Sequence, residues 1–288
     1  MQYSLLPMIW LTTSRFALCM NTGILGILMH QFPYQFNGIP VLATIAYILD
    51  LVLFIIFSVI FVSRFIIYPD NAWAKIAVDS NELTYLVCWP IAWLTLVALT
   101  ALVASQASWG GHAFTLVAYV MWWIGAAWTF TFGVIIYITV FEKNKIDHSN
   151  MPPSMFIPAV GVATASSVAG LVVNYSHDMS ARLAIPVVIV AYILLGQGIF
   201  LGIILFAIYL HHLMVEGMPK GPKAPSIFLL VAILHLPPFP TYAYTFTAWA
   251  YWTDRNSITA LRYCCKYKWG FCWCPQRYIP RSIISGRF

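Results

Sequence analysis

Charge is nearly absent from this chain except in the gaps between long apolar runs. Of 288 residues, only 8% are Asp, Glu, Lys or Arg. Crossing about 30 Å of hydrocarbon as a helix takes about 20 residues. Six runs reach that length: Leu11–Met29, Ile39–Ser63, Thr84–Ala104, Ala113–Phe141, Pro153–Val173 and Leu183–Leu210. They are continuous, without the alternating polarity of barrel strands, so their backbones are expected to satisfy themselves as helices. An all-α, multi-pass integral membrane protein is predicted. The fourth and sixth runs exceed what a bilayer requires, so they tilt or project beyond it.

The gaps alternate in charge. Arg64 and Lys75 follow the second run, Lys143 and Lys145 the fourth, Lys220 and Lys223 the sixth. The gaps at 31–38 and 105–111 carry no charge, and that at 174–182 carries only Asp178 and Arg182. Lysine and arginine are retained on the cytoplasmic side, so the N-terminus is expected to be cytoplasmic, with the plasma membrane as the site. The short outer gaps pair spans 1–2, 3–4 and 5–6 as antiparallel hairpins. An apolar content of 61% and a mean hydropathy of +0.81 exclude an ordinary soluble domain. The net charge of +6 is scattered between spans, which suits anionic lipid headgroups rather than nucleic acid. Met1–Thr13 has no basic start and no small-residue cleavage site, so it reads as the lead into span 1 rather than a signal peptide. Tyr68–Asn81 reads as a cytoplasmic connector with a short interfacial helix.

Small residues hint at which spans lie inside. Ten of the 20 residues Ser154–Val173 are Gly, Ala, Ser or Thr, against four in Val41–Ile60. Small residues allow close packing or a narrow polar path, and bulky ones suit lipid. Odd spans inside and even spans outside is the resulting expectation. The middle pair breaks the pattern, with eight in Ala113–Phe132 and six in Tyr85–Ala104. Pro90 and Pro158 fall inside odd spans, where a proline removes a donor and bends the helix. A kinked pore wall and a plain packing kink are both open. Thr164, Ser166 and Ser167 bring three hydroxyls toward mid-membrane, able to coordinate an anion or to bond back to their own helix. Gly23 and Gly26, and Gly198 and Gly202, permit close helix approach.

Asp50 is the one carboxylate deep within a span. It is either an ion-coupling group or a protonated acid bonded to a neighbour. Substituting it with asparagine should change the pH dependence of transport if it couples. Arg15, near the start of span 1, can snorkel to the interface or draw anions to a pore mouth. No catalytic constellation, metal set or cofactor motif is visible, so neither an enzyme nor a cofactor is expected. His211 and His212 point in different directions on a helix and make a poor metal pair. Cys19 and Cys88 lie within spans as small hydrophobes. Cys264, Cys265, Cys272 and Cys274 match no standard zinc spacing and suit lipidation or no role.

These motifs resemble the tellurite-resistance/dicarboxylate transporter family, also called voltage-dependent anion channel-like, with its fungal malic acid transport proteins nearest. Arg15-Phe-Ala-Leu-Cys-Met-Asn-Thr-Gly-Ile-Leu is similar to the family's opening helix, although Asn21 replaces a usual glycine; Thr22 and Gly23 hold its core. His30-Gln-Phe-Pro-Tyr-Gln-Phe-Asn-Gly, Tyr85-Leu-Val-Cys-Trp-Pro, Met151-Pro-Pro-Ser-Met-Phe-Ile-Pro and Tyr209-Leu-His-His-Leu-Met-Val-Glu-Gly-Met-Pro follow in order. Lys223-Ala-Pro-Ser-Ile-Phe-Leu-Leu-Val looks like the start of span 7. The resemblance implies ten spans in five hairpins around a central anion path, kinked inner odd helices, trimers among bacterial members, and malate, other dicarboxylates or sulfite as cargo. Thr22, Gly23, Pro90, Pro158, Thr164, Ser166 and Ser167 are the expected path residues.

After Val231 the resemblance fades. Ser226–Trp252 forms a partial seventh run interrupted by Pro237-Pro238-Phe239-Pro240, and 253–288 is a basic tail. A transporter domain over 1–252 is expected, apparently truncated relative to ten spans. One further crossing would put Arg255, Arg262, Lys266, Lys268, Arg277, Arg281 and Arg287 outside, against the charge rule. Either the run turns back as a re-entrant hairpin, or the tail was never selected as part of a membrane protein. A non-transporting remnant is the competing expectation.

Overall fold

The computed structural model describes residues 13–32, 34, 36, 38–69, 76, 80–107, 110–142, 152–176 and 179–217. The partial seventh run, the basic tail and most of the Tyr68–Asn81 connector lie outside them. Among the described residues there is no strand. Helix α1 is Phe16–Gln31, preceded by a 3-10 turn at Thr13–Arg15. Helix α2 is Ile39–Ile67, α3 is the short Ser80–Tyr85, and α4 is Cys88–Leu99, running on as a π-helical turn over Thr100–Ala104. Helix α5 is Gly111–Glu142, α6 is Ile157–Tyr175 after a 3-10 turn at Pro153–Phe156, and α7 is Ala181–Glu216. Five segments are long and apolar enough to cross a membrane: Ile39–Ile67, Asn81–Ala104, Gly111–Val140, Pro153–Tyr175 and Arg182–Glu216. Of the six expected spans, the first, described as the 16-residue α1, is not among them. These bounds follow the apolar runs closely.

Local chemistry sets the helix ends. Phe32 is extended (ψ 130°) because Pro33 follows it, which stops α1. Gly38, at φ 136°, starts α2 in a conformation side chains disfavour, and Pro40 sits in its first turn where no amide is needed. Gly217 at φ 81° closes α7.

Consecutive helices pack as antiparallel pairs: α1 with α2, α4 with α5, α6 with α7. Because α1, α4 and α6 are each separated by one returning helix, they run parallel. Helix α4 touches both α1 and α6 and forms the centre. Burial divides the spans cleanly. In their most apolar windows Asn81–Ala104 and Pro153–Tyr175 are 83% buried, against 22% for α2 and 39% each for the α5 and α7 spans. Spans 3 and 5 are therefore inside and spans 2, 4 and 6 outside. Span 1 is buried along one face only, through Phe16, Cys19, Gly23 and Gly26, while Leu18, Ile24, Leu25 and Leu28 are exposed.

The middle pair obeys the rule that its composition seemed to break. Close approach to α4 is supplied by its neighbours' glycines rather than by small residues of its own. A Cβ at Gly125 of α5 would stand 2.8 Å from Leu94, and one at Gly161 of α6 would stand 2.7 Å from Val87. Gly198 of α7 is similarly seated on Ala163, 3.0 Å from its Cβ position.

With no water in the hydrocarbon, polar groups must find partners inside the protein. Three indole N–H groups do so: Trp89 donates to Ser58 Oγ (3.0 Å), Trp93 to the Met121 carbonyl (3.0 Å) and Trp122 to the Ala165 carbonyl (2.9 Å). Tyr137 donates to the Met155 carbonyl at 2.9 Å, tying α5 to the turn that begins span 5. Tyr137→Phe is expected to cost about 1 kcal/mol, read as a lower melting temperature in detergent.

Candidate functional site

Polar groups form a stripe between the outer helix α2 and the central helix α4. The helices run antiparallel, so contacts pair falling numbers with rising ones. At one end Ser58 accepts from Trp89, and at the other the Tyr47 hydroxyl and Thr100 Oγ1 lie 3.2 Å apart. Thr100 opens the π-helical turn, in which Ser105 N–H bonds the Thr100 carbonyl at 3.0 Å. Such turns widen a helix locally and often mark functional positions.

Asp50 lies on the same helix between Tyr47 and Ser58, and it is unlike them. It is 0% exposed, and neither carboxylate oxygen has a hydrogen-bond partner. The side chain reaches the core because residue 23 of α1 lacks one. A Cβ there would sit 2.8 Å from Asp50 Oδ2, 2.8 Å from Thr95 Cβ and 2.8 Å from Thr95 Oγ1. Thr95 gives its proton to the Ala92 carbonyl (2.8 Å), which leaves its lone pairs toward the junction. Cys19, one turn before Gly23, is a buried free thiol. Gly23, Asp50 and Thr95 thus join α1, α2 and α4.

The remaining predicted residues scatter more widely. On α6, Thr164 donates to the Val160 carbonyl and Ser167 to the Ala163 carbonyl, each within its own helix. Ser166, between them, is fully buried and its hydroxyl has no partner. Thr22 donates to the Leu18 carbonyl at 2.9 Å. The bond back to the helix accounts for these hydroxyls, with Ser166 the exception. Arg15 is exposed at the start of α1. Helix α4 is shared by both groups, with Asp50 and Gly23 meeting it from one side and α6 from another.

Both prolines sit in the first turn of a helix. Pro158 stands in the first turn of α6, because Pro153–Phe156 is a 3-10 turn and the α-helix starts at Ile157. Its missing N–H would be unpaired there in any case, so it kinks nothing. Pro90 lies in the first turn of α4, after a break at residues 86–87 that separates α3 from α4. The Leu86 carbonyl, which Pro90 cannot serve, accepts from Trp89 N–H instead at 3.4 Å. Pro158 is thus near the start of its span, whereas Pro90 falls within the span Asn81–Ala104, just after the break that divides it. Pro186, in α7, is the interior proline among the described helices, and the sequence reading passed over it.

The starts of the three parallel helices meet. Thr13 donates through its N–H (3.3 Å) and hydroxyl (3.1 Å) to Glu82 Oε2, and Ser154 donates to Asn81 Oδ1 at 2.9 Å. Sequence reading missed this knot and Thr95 alike. The usable signal was a few polar residues at odd-span starts, but their meeting is tertiary. A separate cavity of about 570 Å³ at the α1–α2 turn is lined by Leu25, Leu28, Phe32, Phe36 and Leu42 among others, and offers an anion little to bind. No group of three metal-ligating side chains occurs among the described residues.

A bundle of apolar helices with two buried inner members, one of them meeting a polar junction with α1 and α2, defines a multi-pass membrane protein. Residues 11–253 match the family described as voltage-dependent anion channel (SLAC1), and the chain belongs to that family. A sulfite efflux pump of Arthroderma benhamiae is 26% identical over 219 residues, covering 76% of this chain and 56% of that protein. The malic acid transport protein of Schizosaccharomyces pombe is 25% identical over 220 residues, covering 76% of this chain and 49% of that protein. An uncharacterized transporter of Methanocaldococcus jannaschii is 27% identical across 94% of this chain and 82% of its own length. The chain thus spans about half the length of the fungal relatives. The family match continues past Val231 to residue 253, so the change of character after Val231 is not where the likeness stops.

Proposed function

We propose that this chain moves small anions across a membrane, along a path bordered by α1, α4 and α6. The observation that carries the proposal is the family match over 11–253. Electrostatics support it. Three parallel helices begin together at one end, and helix N-termini carry partial positive charge that attracts anions. Exposed Arg15, before α1, and Arg64, in the last turn of α2, lie toward that same end, read as cytoplasmic. Thr22, Gly23, Pro90, Pro158, Thr164, Ser166 and Ser167 are the proposed path residues, with Ser166 foremost because its hydroxyl is unclaimed. Malate and related C4-dicarboxylates are the proposed cargo.

Sulfite is the second reading, favoured by the sulfite efflux pumps among the relatives. Both cargoes are small oxyanions, which hydroxyls and backbone amides can hold without a trapping charge. Expression in cells lacking their own carriers, with labelled malate and sulfite offered separately, distinguishes them. Malate flux well above vector controls is expected. Sulfite flux alone selects the second reading, and neither flux above control rejects both.

A further inference from the structure

We infer that Asp50 is a proton-operated valve whose ionised form opposes anion passage, an inference that rests on the transport proposal above. An ionised carboxylate with no partner is costly in hydrocarbon, and the protonated form is the one such surroundings tolerate. Asp50 meets both conditions, being fully buried with both oxygens unpartnered. Its place is as unusual as its state. It belongs to α2, the least buried of the five candidate spans, yet it projects between α1 and α4, two of the three helices that border the proposed path.

Little stands near Asp50 to balance a charge. From α1, Cys19 is the titratable group close enough to interact with it electrostatically. From α4, Thr95 faces it, and Ile91–Leu99 contains no titratable side chain. On α2 itself, Tyr47 is engaged with Thr100. The basic residues of α1 and α2 (Arg15, His30 and Arg64) stand seven or more residues along from Gly23 or Asp50. A proton leaving the carboxyl for water therefore places one uncompensated negative charge beside the path, where low dielectric extends its reach. Anions are repelled while it persists. Return of a proton removes it, and no other reactant is needed.

Asp50→Asn keeps the shape of the protonated acid and cannot ionise. The test uses the full chain in lipid vesicles, with labelled malate and sulfite fluxes compared for variant and wild type. Their ratio cancels the titration of the anions themselves. The ratio is expected to rise about tenfold as the pH is raised from acid to alkaline and the wild-type carboxyl ionises. A ratio that does not change with pH overturns the valve. A second measurement needs no transport. Infrared spectra of purified protein, differenced across that range, should show a protonated-carboxyl band that Asp50→Asn lacks. Identical spectra overturn the site whatever the fluxes do. The band without flux in either protein overturns the transport reading and the valve with it, while the protonation itself stands.

Discussion

Gly23→Leu is expected to leave no monodisperse folded protein. The Cβ alone would lie 2.8 Å from Asp50 Oδ2 and 2.8 Å from Thr95 Cβ, nearer than real Cβ contacts come. Thr95 Cβ is fixed to the backbone of the central helix, so it cannot turn aside. The Asp50 carboxyl is enclosed and has nowhere to go. Helix α1 would have to withdraw along the face that also seats Gly26 against Leu99. Overpacking by even a few methylenes commonly costs about 1–3 kcal/mol, and a leucine forced into a helix crossing exceeds that. Size-exclusion profiles of a fluorescent fusion in mild detergent measure the outcome. Gly23→Ala should show a reduced folded peak and Gly23→Leu none, whereas a normal peak for leucine would mean that the α1–α4 contact is not as close as described.

Trp122→Ala carries the next largest effect. Trp122 is completely buried on α5, and its indole bonds the Ala165 carbonyl of α6 at 2.9 Å. Between helices in a membrane, packing contacts rather than water release hold the crossing together. Truncation leaves a void the size of an indole, and about 3–5 kcal/mol is expected by analogy with large-to-small changes in protein cores. Trp122→Phe retains most of the contacts and loses the hydrogen bond, at about 1 kcal/mol beyond the small volume loss. Thermal unfolding of the three proteins in one detergent should rank them wild type, phenylalanine, alanine. Equal stability of the alanine variant would contradict the α5–α6 packing.

Much of the architecture was legible because a bilayer imposes length and apolarity on each span separately. Phe32-Pro33 and Gly38-Ile39-Pro40 announce the turn between α1 and α2 from four or five residues of sequence. The inside position of span 3 was not legible by counting its own small residues, since the smallness resides in Gly23, Gly26, Gly125 and Gly161 on the helices around it. Pro158 was misread as a kink because nothing in Met151–Pro158 says that the first turn is 3-10 rather than α. At the site, Asp50 and Gly23 were each visible as oddities, one a charge in a span and the other a glycine in a helix. That they are one feature depends on a meeting of residues 23, 50 and 95, which no local pattern encodes. The hydroxyls of α6 were read as a group, but two of the three bond back to their own helix, which leaves Ser166.

Flux through the purified protein alone decides whether this chain conducts anions. With the full chain reconstituted into vesicles at low pH, where the proposed valve is open, labelled malate should enter faster than into protein-free vesicles. Sulfite should compete with it, and Ser166→Leu, which removes the unclaimed hydroxyl of α6 and adds bulk in its place, should reduce entry. Rates equal to protein-free vesicles for both malate and sulfite, from protein verified as folded, would mean that the chain does not conduct these anions.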